Sequence, residues 1–215
     1  MLTARGKTEW RVQEVATHVG VTLGDAEQDA LATWLDTLAV WNARMDLTAA
    51  KTNDEASELM LTDALVLAGQ IPRGSNVVDV GVGAGAPGLG LALARPDLRV
   101  TLVEPLQKRI SFLRTVIGTL GRVDVTLVHG KGESLAPADF DVAISRATLE
   151  PSEWLNLGLS LVRTGGSVWV LVANEEAVPL DSSKVAPKIE TERVSYTLPF
   201  SNKSRIAVRF DYSPH

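Results

Sequence analysis

An aspartate and three glycines that follow one short apolar stretch are the residues of this chain best suited to ligand chemistry. Asp79 stands two positions before Gly81, and Gly83 and Gly85 continue the pattern within residues 77–88. A strand that ends in an acidic residue and opens into a glycine-rich turn before a helix can bring bare backbone against a nucleotide-like ligand. Alternate glycines also occur where a helix packs tightly on a strand, so a structural turn is the alternative.

The carboxylate of Asp79 favours S-adenosylmethionine over a dinucleotide as the ligand. Nicotinamide and flavin cofactors need the N-terminus of the first helix free for their pyrophosphate. S-adenosylmethionine has no phosphate, and its ammonium suits a carboxylate that holds the amino-acid end directly or through water. The residues expected to form this part of the pocket are Asp79, Gly81, Gly83, Ala84, Gly85 and Ala86.

Two later segments extend the predicted cofactor pocket. Glu104 ends the second strand, where a carboxylate can accept hydrogen bonds from both hydroxyls of a ribose. A solvated strand end is the alternative for Glu104, and Arg109 on the following helix is expected to be solvated. In methyltransferases with a parallel α/β sheet that use S-adenosylmethionine, the turn after the third strand usually contacts the adenine. The candidate residues in that turn are Lys131, Gly132 and Glu133.

Arg146 follows the fourth strand, which faces the transferred methyl group in this fold. Methylases of exocyclic amines usually carry an Asn/Asp-Pro-Pro-aromatic turn here, and C5-pyrimidine methylases need a cysteine nucleophile; this sequence has neither. Ring nitrogens such as guanine N7 remain as possible methyl acceptors. Their in-plane lone pair is already nucleophilic, so it needs in-line placement against the sulfonium methyl group and no general base. Arg146 could bind guanine O6 or a phosphate; an ion pair with Asp139 or Glu150 is the structural alternative.

Composition sets limits on the function. The 215 residues are 45% hydrophobic and 22% charged, and the absence of cysteine excludes disulfides and thiolate metal sites. No His, Asp and Glu residues have metal-ligand spacing, so we expect no metal. The formal net charge of −5 argues against wrapping of free nucleic acid, but not against action on RNA within a particle. We expect a cytoplasmic protein, since neither a run of about 18 apolar residues nor a signal-peptide core is present.

The elements that must position these residues divide the chain into two parts. Residues 1–72 form a predicted helical region, with helical spacing over 8–70 and a capping box at Asp25 and Gln28. Residues 73–215 form a predicted Rossmann-like domain, in which strand and helix patterns alternate as in a parallel sheet covered on both faces.

The alternation within this second part gives approximate element bounds. Strands are predicted near 76–81, 99–104, 123–128, 139–145 and 167–173. Helices are predicted near 88–95, 107–120 and 151–162. Val194–Leu198 and Arg205–Phe210 indicate a terminal antiparallel hairpin, which is usual in class I methyltransferases and unusual in dehydrogenases. The polar segment 174–190 is a candidate lid.

Four segments resemble the RsmG (GidB) family, bacterial methyltransferases that modify a guanine N7 in small-subunit ribosomal RNA. They lie within about residues 30–170, in the family's order and at its spacing. The first has the family's Trp-Asn…Leu-Thr pattern, the second its glycine-rich loop with Pro-Gly, the third its second strand and helix, and the fourth its Ser-Arg-Ala strand end. The segments are residues 41–48, 79–89, 102–114 and 140–147.

The sequence departs from the family pattern at several polar positions. Asp46 stands where the family usually has Asn, and Met60 and Ala64 replace His and Ser. Lys131 stands where the family usually has Arg, and Asn174 follows the fifth strand where it typically has Lys-Gly. Several of the lost groups lie near the expected substrate side, whereas the cofactor half keeps the pattern.

The resemblance implies a class I α/β methyltransferase with an N-terminal helical extension and a C-terminal antiparallel hairpin. It implies S-adenosylmethionine as cofactor and 16S ribosomal RNA or the ribosomal particle as partner. Arg146 would position the acceptor, and Lys203 or Arg205 would contact phosphate. Three alternatives remain: a methyltransferase of a small molecule or another RNA, a cofactor-binding protein without catalysis, and a NAD-dependent dehydrogenase, which Asp79 and the terminal hairpin disfavour.

Overall fold

The computed structural model describes residues 2–146, 149–174 and 188–213. Within these ranges the chain forms six α-helices and seven β-strands. The helices are α1 (Ala4–His18), α2 (Asp25–Met45), α3 (Asn53–Ala68), α4 (Gly88–Ala94), α5 (Gln107–Thr119) and α6 (Pro151–Leu161). The strands are β1 (Asn76–Val80), β2 (Arg99–Glu104), β3 (Val125–His129), β4 (Phe140–Arg146), β5 (Val162–Val172), β6 (Lys188–Thr197) and β7 (Ser204–Tyr212).

The seven strands form one sheet in the order β3-β2-β1-β4-β5-β7-β6. Strands β1 to β5 pair in parallel, and β7 pairs antiparallel with both β5 and β6. The strand order changes direction between β1 and β4, so the carboxyl ends of β1, β2 and β4 meet at the crevice where α/β sheets bind ligands. This arrangement confirms the predicted class I α/β fold, with the N-terminal helices and the terminal hairpin in place.

The alternation of side chains along β1 decides which layer each residue enters. Val77 packs in a core with the N-terminal helices, whereas Val78 and Val80 pack on the opposite face with α6. Asp79 therefore points to the same face as Val77, under α4. The three N-terminal helices share this core with the sheet, and the division of the chain at residue 72 stays a prediction.

The start of α2 differs from the predicted capping box. Gly24 is the N-cap residue and offers no side chain, while Asp25 is the first residue of the helix. The Gln28 side chain donates to the carbonyl oxygen of Leu23 at 3.3 Å. Asp25 instead favours the helix through its negative charge near the helix N-terminus.

Two further observations hold for the described part of the chain. No helix there combines the length and the apolar character that crossing a bilayer requires. No group of three or more His, Asp and Glu side chains there could hold a metal ion. The lid predicted for residues 174–190 falls mostly on residues 175–187, which lie outside the described ranges.

Candidate active site

The glycine-rich loop joins β1 to α4 at the carboxyl edge of the sheet. The backbone N–H groups of Gly81 and Val82 both donate to the carbonyl oxygen of Val103 on β2, at 2.8 and 3.2 Å. Gly85 has a φ of +114°, and a Cβ atom there would lie 2.8 Å from the ring of Trp34. Only glycine fits this position, because both the backbone angle and the lack of space exclude a side chain.

Trp34 on α2 forms the floor of the loop. Its side chain is fully buried, and Nε1 donates a hydrogen bond to the carbonyl oxygen of Ala84 at 3.1 Å. The sequence predicts helix packing for Trp34, and the structure adds this hydrogen bond to the loop. Helix α2 therefore holds the backbone of the glycine-rich loop directly.

We expect Gly85→Ala to lower the free energy of unfolding by about 2–4 kcal/mol, through the unfavourable φ and the contact with Trp34. Gly118→Ala is the matched control, because a Cβ atom at Gly118 on α5 would meet nothing within 4 Å. The control is expected to be neutral or to stabilise by up to about 1 kcal/mol. Urea unfolding of both variants checks this, and equal midpoints would contradict the role assigned to Gly85.

Glu104 connects the end of β2 to the glycine-rich loop. Its side chain is 1% exposed, and its two carboxylate oxygens accept hydrogen bonds from the backbone N–H groups of Gly83 and Leu106, each at 2.9 Å. Nη1 of Arg109 lies 3.6 Å from the same carboxylate. Each carboxylate oxygen keeps a second lone pair, so Glu104 can still accept hydrogen bonds from ligand hydroxyls.

Asp79 lies beneath the loop rather than on its ligand side. Its carboxylate is completely buried, and Oδ2 accepts a hydrogen bond from the backbone N–H of Gly88 at 2.6 Å. Oδ1 has no hydrogen-bond partner among the described residues. Burial raises the pKa of Asp79 to about 7. Asp79 thus binds the first residue of α4, and its contact with the cofactor, direct or through water, stays a prediction.

The raised pKa predicts a pH dependence of stability that belongs to Asp79. Because the folded state holds the proton more tightly, the stability from this group is complete below about pH 4 and is lost as the pH rises to about 7. The free energy of unfolding of the wild type, relative to Asp79→Asn, should fall by about 2–3 kcal/mol between about pH 5 and about pH 8. Urea unfolding at both pH values tests this; a constant difference would show that Asp79 is ionised throughout.

A cavity of about 640 Å³ lies against the loop. Its volume is within the range of about 300–1,000 Å³ that is usual for small-molecule sites. The predicted cofactor residues that line it are Gly81, Gly83, Ala84, Ala86, Glu104 and Arg146. We call it the cofactor cavity; Asp79 and Gly85 support it from below.

The chain between α2 and α3 forms another wall of the cofactor cavity, through residues 47–49. Oδ1 of Asn42 accepts hydrogen bonds from the backbone N–H groups of Leu47 and Thr48 at 2.7 and 2.9 Å, which holds this segment against the end of α2. Asp46 has a φ of +47°. Asn and Asp are the non-glycine residues that best tolerate this conformation, so Asp46 preserves the backbone where the family usually has Asn.

Arg146 lies at the end of β4, between α3 and the cofactor cavity. Its Nη1 donates to Oδ2 of Asp63 at 2.9 Å and to the carbonyl oxygen of Leu59, both on α3. Its side chain is 25% exposed, while that of Asp63 is 4% exposed. The sequence names Asp139 and Glu150 as possible partners, but this ion pair joins Arg146 to Asp63.

A second cavity, of about 280 Å³, is also lined by Arg146. Its polar lining consists of Asp63, Arg146, Tyr196 and Arg205, from α3, β4 and the terminal hairpin. We call it the hairpin cavity. Arg146 is the residue common to the linings of the two cavities, so its side chain borders both.

The other predicted site residues lie outside both linings. Lys131 and Glu133 are exposed beyond β3, and a Cβ atom at Gly132 would lie 2.8 Å from Val80, which identifies close packing at this glycine. Lys203 is exposed in the turn between β6 and β7. Their roles toward adenine and phosphate stay predictions.

Several residues that line the cavities are not among the site residues predicted from the sequence. Arg109, expected to be solvated, lines the cofactor cavity together with Met60 and Thr48. Asp63 and Tyr196 line the hairpin cavity. The N-terminal residues carry a signal. Thr48 lies in the Trp-Asn segment, and Met60 and Asp63 lie in a helix segment where the family has His-x-x-Asp-Ser, of which this chain keeps the Asp. Tyr196 stands in no motif.

Solved structures with the same fold are methyltransferases and related transferases of low sequence identity. A putative transferase from Pyrococcus horikoshii superimposes with a TM-score of 0.57 at 13% identity, covering 75% of this chain and 68% of that one. TYW2 from M. jannaschii, in complex with AdoMet, gives a TM-score of 0.54 at 14% identity, covering 69% of this chain and 73% of that one. At this identity the likeness shows the fold alone.

Sequence relatives are closer. Ribosomal RNA small subunit methyltransferase G of Clostridium beijerinckii is 36% identical over 159 residues, which cover 71% of this chain and 66% of that protein. The protein of the same name from Anaeromyxobacter dehalogenans is 30% identical over 197 residues, covering 89% of this chain and 92% of that protein. Residues 27–207 match the GidB family model, described as rRNA small subunit methyltransferase G. The chain therefore belongs to the GidB family, as its four motif segments predicted.

Proposed function

We propose that this protein transfers a methyl group from S-adenosylmethionine to a guanine N7 in small-subunit ribosomal RNA. The observation that best supports it is the pair of cavities that share Arg146, one against the glycine-rich loop and one against the hairpin. Two adjoining sites are what a direct transfer between two bound molecules requires. Membership of the GidB family supports the choice of RNA as acceptor.

The residues of the cofactor cavity fit S-adenosylmethionine. Gly81 and Gly83 present backbone without side chains, and the Glu104 carboxylate suits the two ribose hydroxyls. Asp79 places a buried carboxylate behind the loop, where a nearby ammonium would favour its ionised form. When bound, S-adenosylmethionine supplies an electrophilic methyl carbon. In this proposal the segment 131–133 contacts the adenine.

Methylation of a purine N7 requires no proton transfer by the protein. The lone pair of N7 forms the new N–C bond as the S–C bond breaks, and the positive charge passes from sulfur to the purine ring. No proton leaves, so no general base is needed. The contribution of the chain is placement and exclusion of water, and Arg146 is suited to placement because Asp63 and the Leu59 carbonyl hold its guanidinium in one orientation.

The RNA would approach from the hairpin side. Arg205 lines the hairpin cavity, and Lys203, two residues earlier in the connection between β6 and β7, is exposed. Both can contact phosphates next to the acceptor nucleotide. With a formal net charge of −5, the protein offers such contacts locally rather than over its whole surface, which favours a substrate presented within a ribosomal particle.

Transfer of a labelled methyl group from S-adenosylmethionine to small ribosomal subunits, taken from cells that lack this gene, tests the proposal. Mass mapping of the RNA is expected to place the label at a guanine N7. If the protein binds the cofactor but the label appears on another RNA or on a small molecule, that molecule is the acceptor instead of small-subunit ribosomal RNA. Binding without transfer to any acceptor would identify a cofactor-binding protein that lacks catalysis.

A further inference from the structure

We propose that the hairpin cavity is a binding site for one 6-oxopurine base, and that Asp63, together with Arg146, distinguishes guanine from adenine there. This inference rests on the proposed function, because it names how the acceptor base would be selected. It concerns Asp63 and Tyr196, which the cofactor cavity does not include.

Asp63 presents a carboxylate in a fixed orientation. Its side chain is 4% exposed, Oδ2 accepts a hydrogen bond from Nη1 of Arg146 at 2.9 Å, and Oδ1 accepts one from the hydroxyl of Tyr196 at 2.8 Å. Burial, and then the negative charge of Asp63, raise the pKa of Tyr196 well above its usual value, so its hydroxyl remains a donor. The two donors come from different strands, β4 and β6, and each binds one oxygen of the carboxylate.

The rest of the cavity suits a flat aromatic ring. Leu59, Leu171 and Leu198 supply apolar surface around the polar group, and a purine has two apolar faces with polar atoms confined to its edge. The volume of about 280 Å³ is just below the range of about 300–1,000 Å³ that is usual for small-molecule sites, which suits one base rather than a larger ligand.

The order of donor and acceptor in the cavity matches guanine. Guanine carries the O6 acceptor next to the N1–H donor, while adenine carries an amino donor next to the unprotonated N1 acceptor. An arginine that donates beside a carboxylate that accepts is complementary to the first pair and opposed to the second. Each Asp63 oxygen keeps a second lone pair after its present hydrogen bond, so the carboxylate can accept the N1–H as well.

The Asp63 carboxylate also suits the chemistry of transfer. N7 methylation places a positive charge on the purine ring, and a buried carboxylate that accepts the N1–H would stabilise that charge as it develops. The same group would therefore select the base and favour its methylation. The exocyclic 2-amino group of guanine takes no part in either contact.

Purine analogues at the mapped acceptor position test this selection in small subunits reconstituted with RNA that carries one replacement. Inosine keeps O6 and N1–H and is expected to be methylated at about the guanosine rate. Adenosine and 2-aminopurine keep N7 but lack that pair, and their single-turnover rates should be lower by about 100-fold or more, the range for sites built to hydrogen-bond a missing group. Adenosine or 2-aminopurine methylated at the guanosine rate would overturn the inference.

Two variants connect the selection to Asp63. Asp63→Asn should lower the rate on guanosine by about 10- to 100-fold and, with it, the preference for guanosine over 2-aminopurine. A merely structural role would lower both rates equally and leave that ratio unchanged, which counts against the proposal. Tyr196→Phe keeps the ring and removes one hydrogen-bond donor to Asp63, so the guanosine to 2-aminopurine rate ratio should fall less than in Asp63→Asn. Tyr212→Phe, elsewhere on the hairpin, is the matched control.

The outcomes separate this inference from the proposed function. A wild-type protein that methylates no purine in any RNA would refute the proposed function. A wild-type protein that methylates guanosine, with Asp63→Asn and Tyr196→Phe variants that keep the wild-type guanosine to 2-aminopurine ratio, would refute the inference alone. Calorimetry with S-adenosylmethionine on each variant confirms that the cofactor cavity is intact.

Discussion

Arg146→Ala is expected to lower methyl transfer by at least about 100-fold while cofactor binding is retained. The guanidinium lines both cavities, and truncation removes the group that would hold the acceptor base in line with the methyl carbon. The change also leaves Asp63, which is 4% exposed, without its cationic partner. We therefore expect a loss of stability as well, smaller than the about 3–5 kcal/mol typical of a fully buried pair, because Arg146 is partly exposed.

A double variant separates these two effects of Arg146. In Arg146→Ala/Asp63→Asn the uncompensated charge disappears, so the free energy of unfolding should return most of the way to the wild-type value. Methyl transfer should stay lost, since the positioning group is still absent. Urea unfolding, calorimetry with S-adenosylmethionine and single-turnover transfer to small subunits measure the three quantities. Unchanged transfer in Arg146→Ala would limit Arg146 to a structural role.

Glu104→Ala is expected to weaken binding of S-adenosylmethionine by about 100-fold, because hydrogen bonds to a charged group contribute about 1.5–3 kcal/mol. The truncation removes the acceptor for the Gly83 and Leu106 N–H groups as well as the carboxylate that faces the cavity. Glu104→Gln keeps one oxygen acceptor and should fall between the wild type and Glu104→Ala. Isothermal calorimetry gives the three dissociation constants.

A matched control for Glu104 is Glu153→Ala, at an exposed position on α6 away from both cavities. It should bind S-adenosylmethionine as the wild type does. If Glu104→Ala kept the wild-type affinity, the carboxylate would serve only to fasten the loop to β2, and the ribose contact would have to come from elsewhere in the cavity.

The sequence predicts the strands and helices of the sheet well, because their hydrophobic periods are local. It also identifies Glu104 and the glycine-rich loop, since a strand end followed by a turn must lie at the carboxyl edge of a parallel sheet. Spacing along the chain does not reveal how deeply the Asp79 side chain is buried. In the folded chain it shares the face of Val77, and the N–H of Gly88 binds it below the loop.

The ion-pair partner of Arg146 does not follow from the neighbouring sequence, for a different reason. Arg146 shares a strand face with Val142 and Ile144, which pack on the N-terminal helices, so its partner belongs to α3. Asp63 is 83 positions away in the chain, and no pattern near Arg146 indicates it. The hairpin cavity likewise needs β6 and β7 to fold beside α3, which brings Tyr196 to a residue 133 positions away.

The hydrogen bond from Trp34 to Ala84 and the contact of its ring with Gly85 have a consequence for the history of such proteins. A region that only recognised substrate could be exchanged between relatives as a detachable module. Here the N-terminal helices hold the backbone of the cofactor loop, so exchanging them would disturb the binding of S-adenosylmethionine as well. We therefore expect relatives of this chain to differ in their substrate contacts through single substitutions more readily than through exchange of the whole N-terminal region.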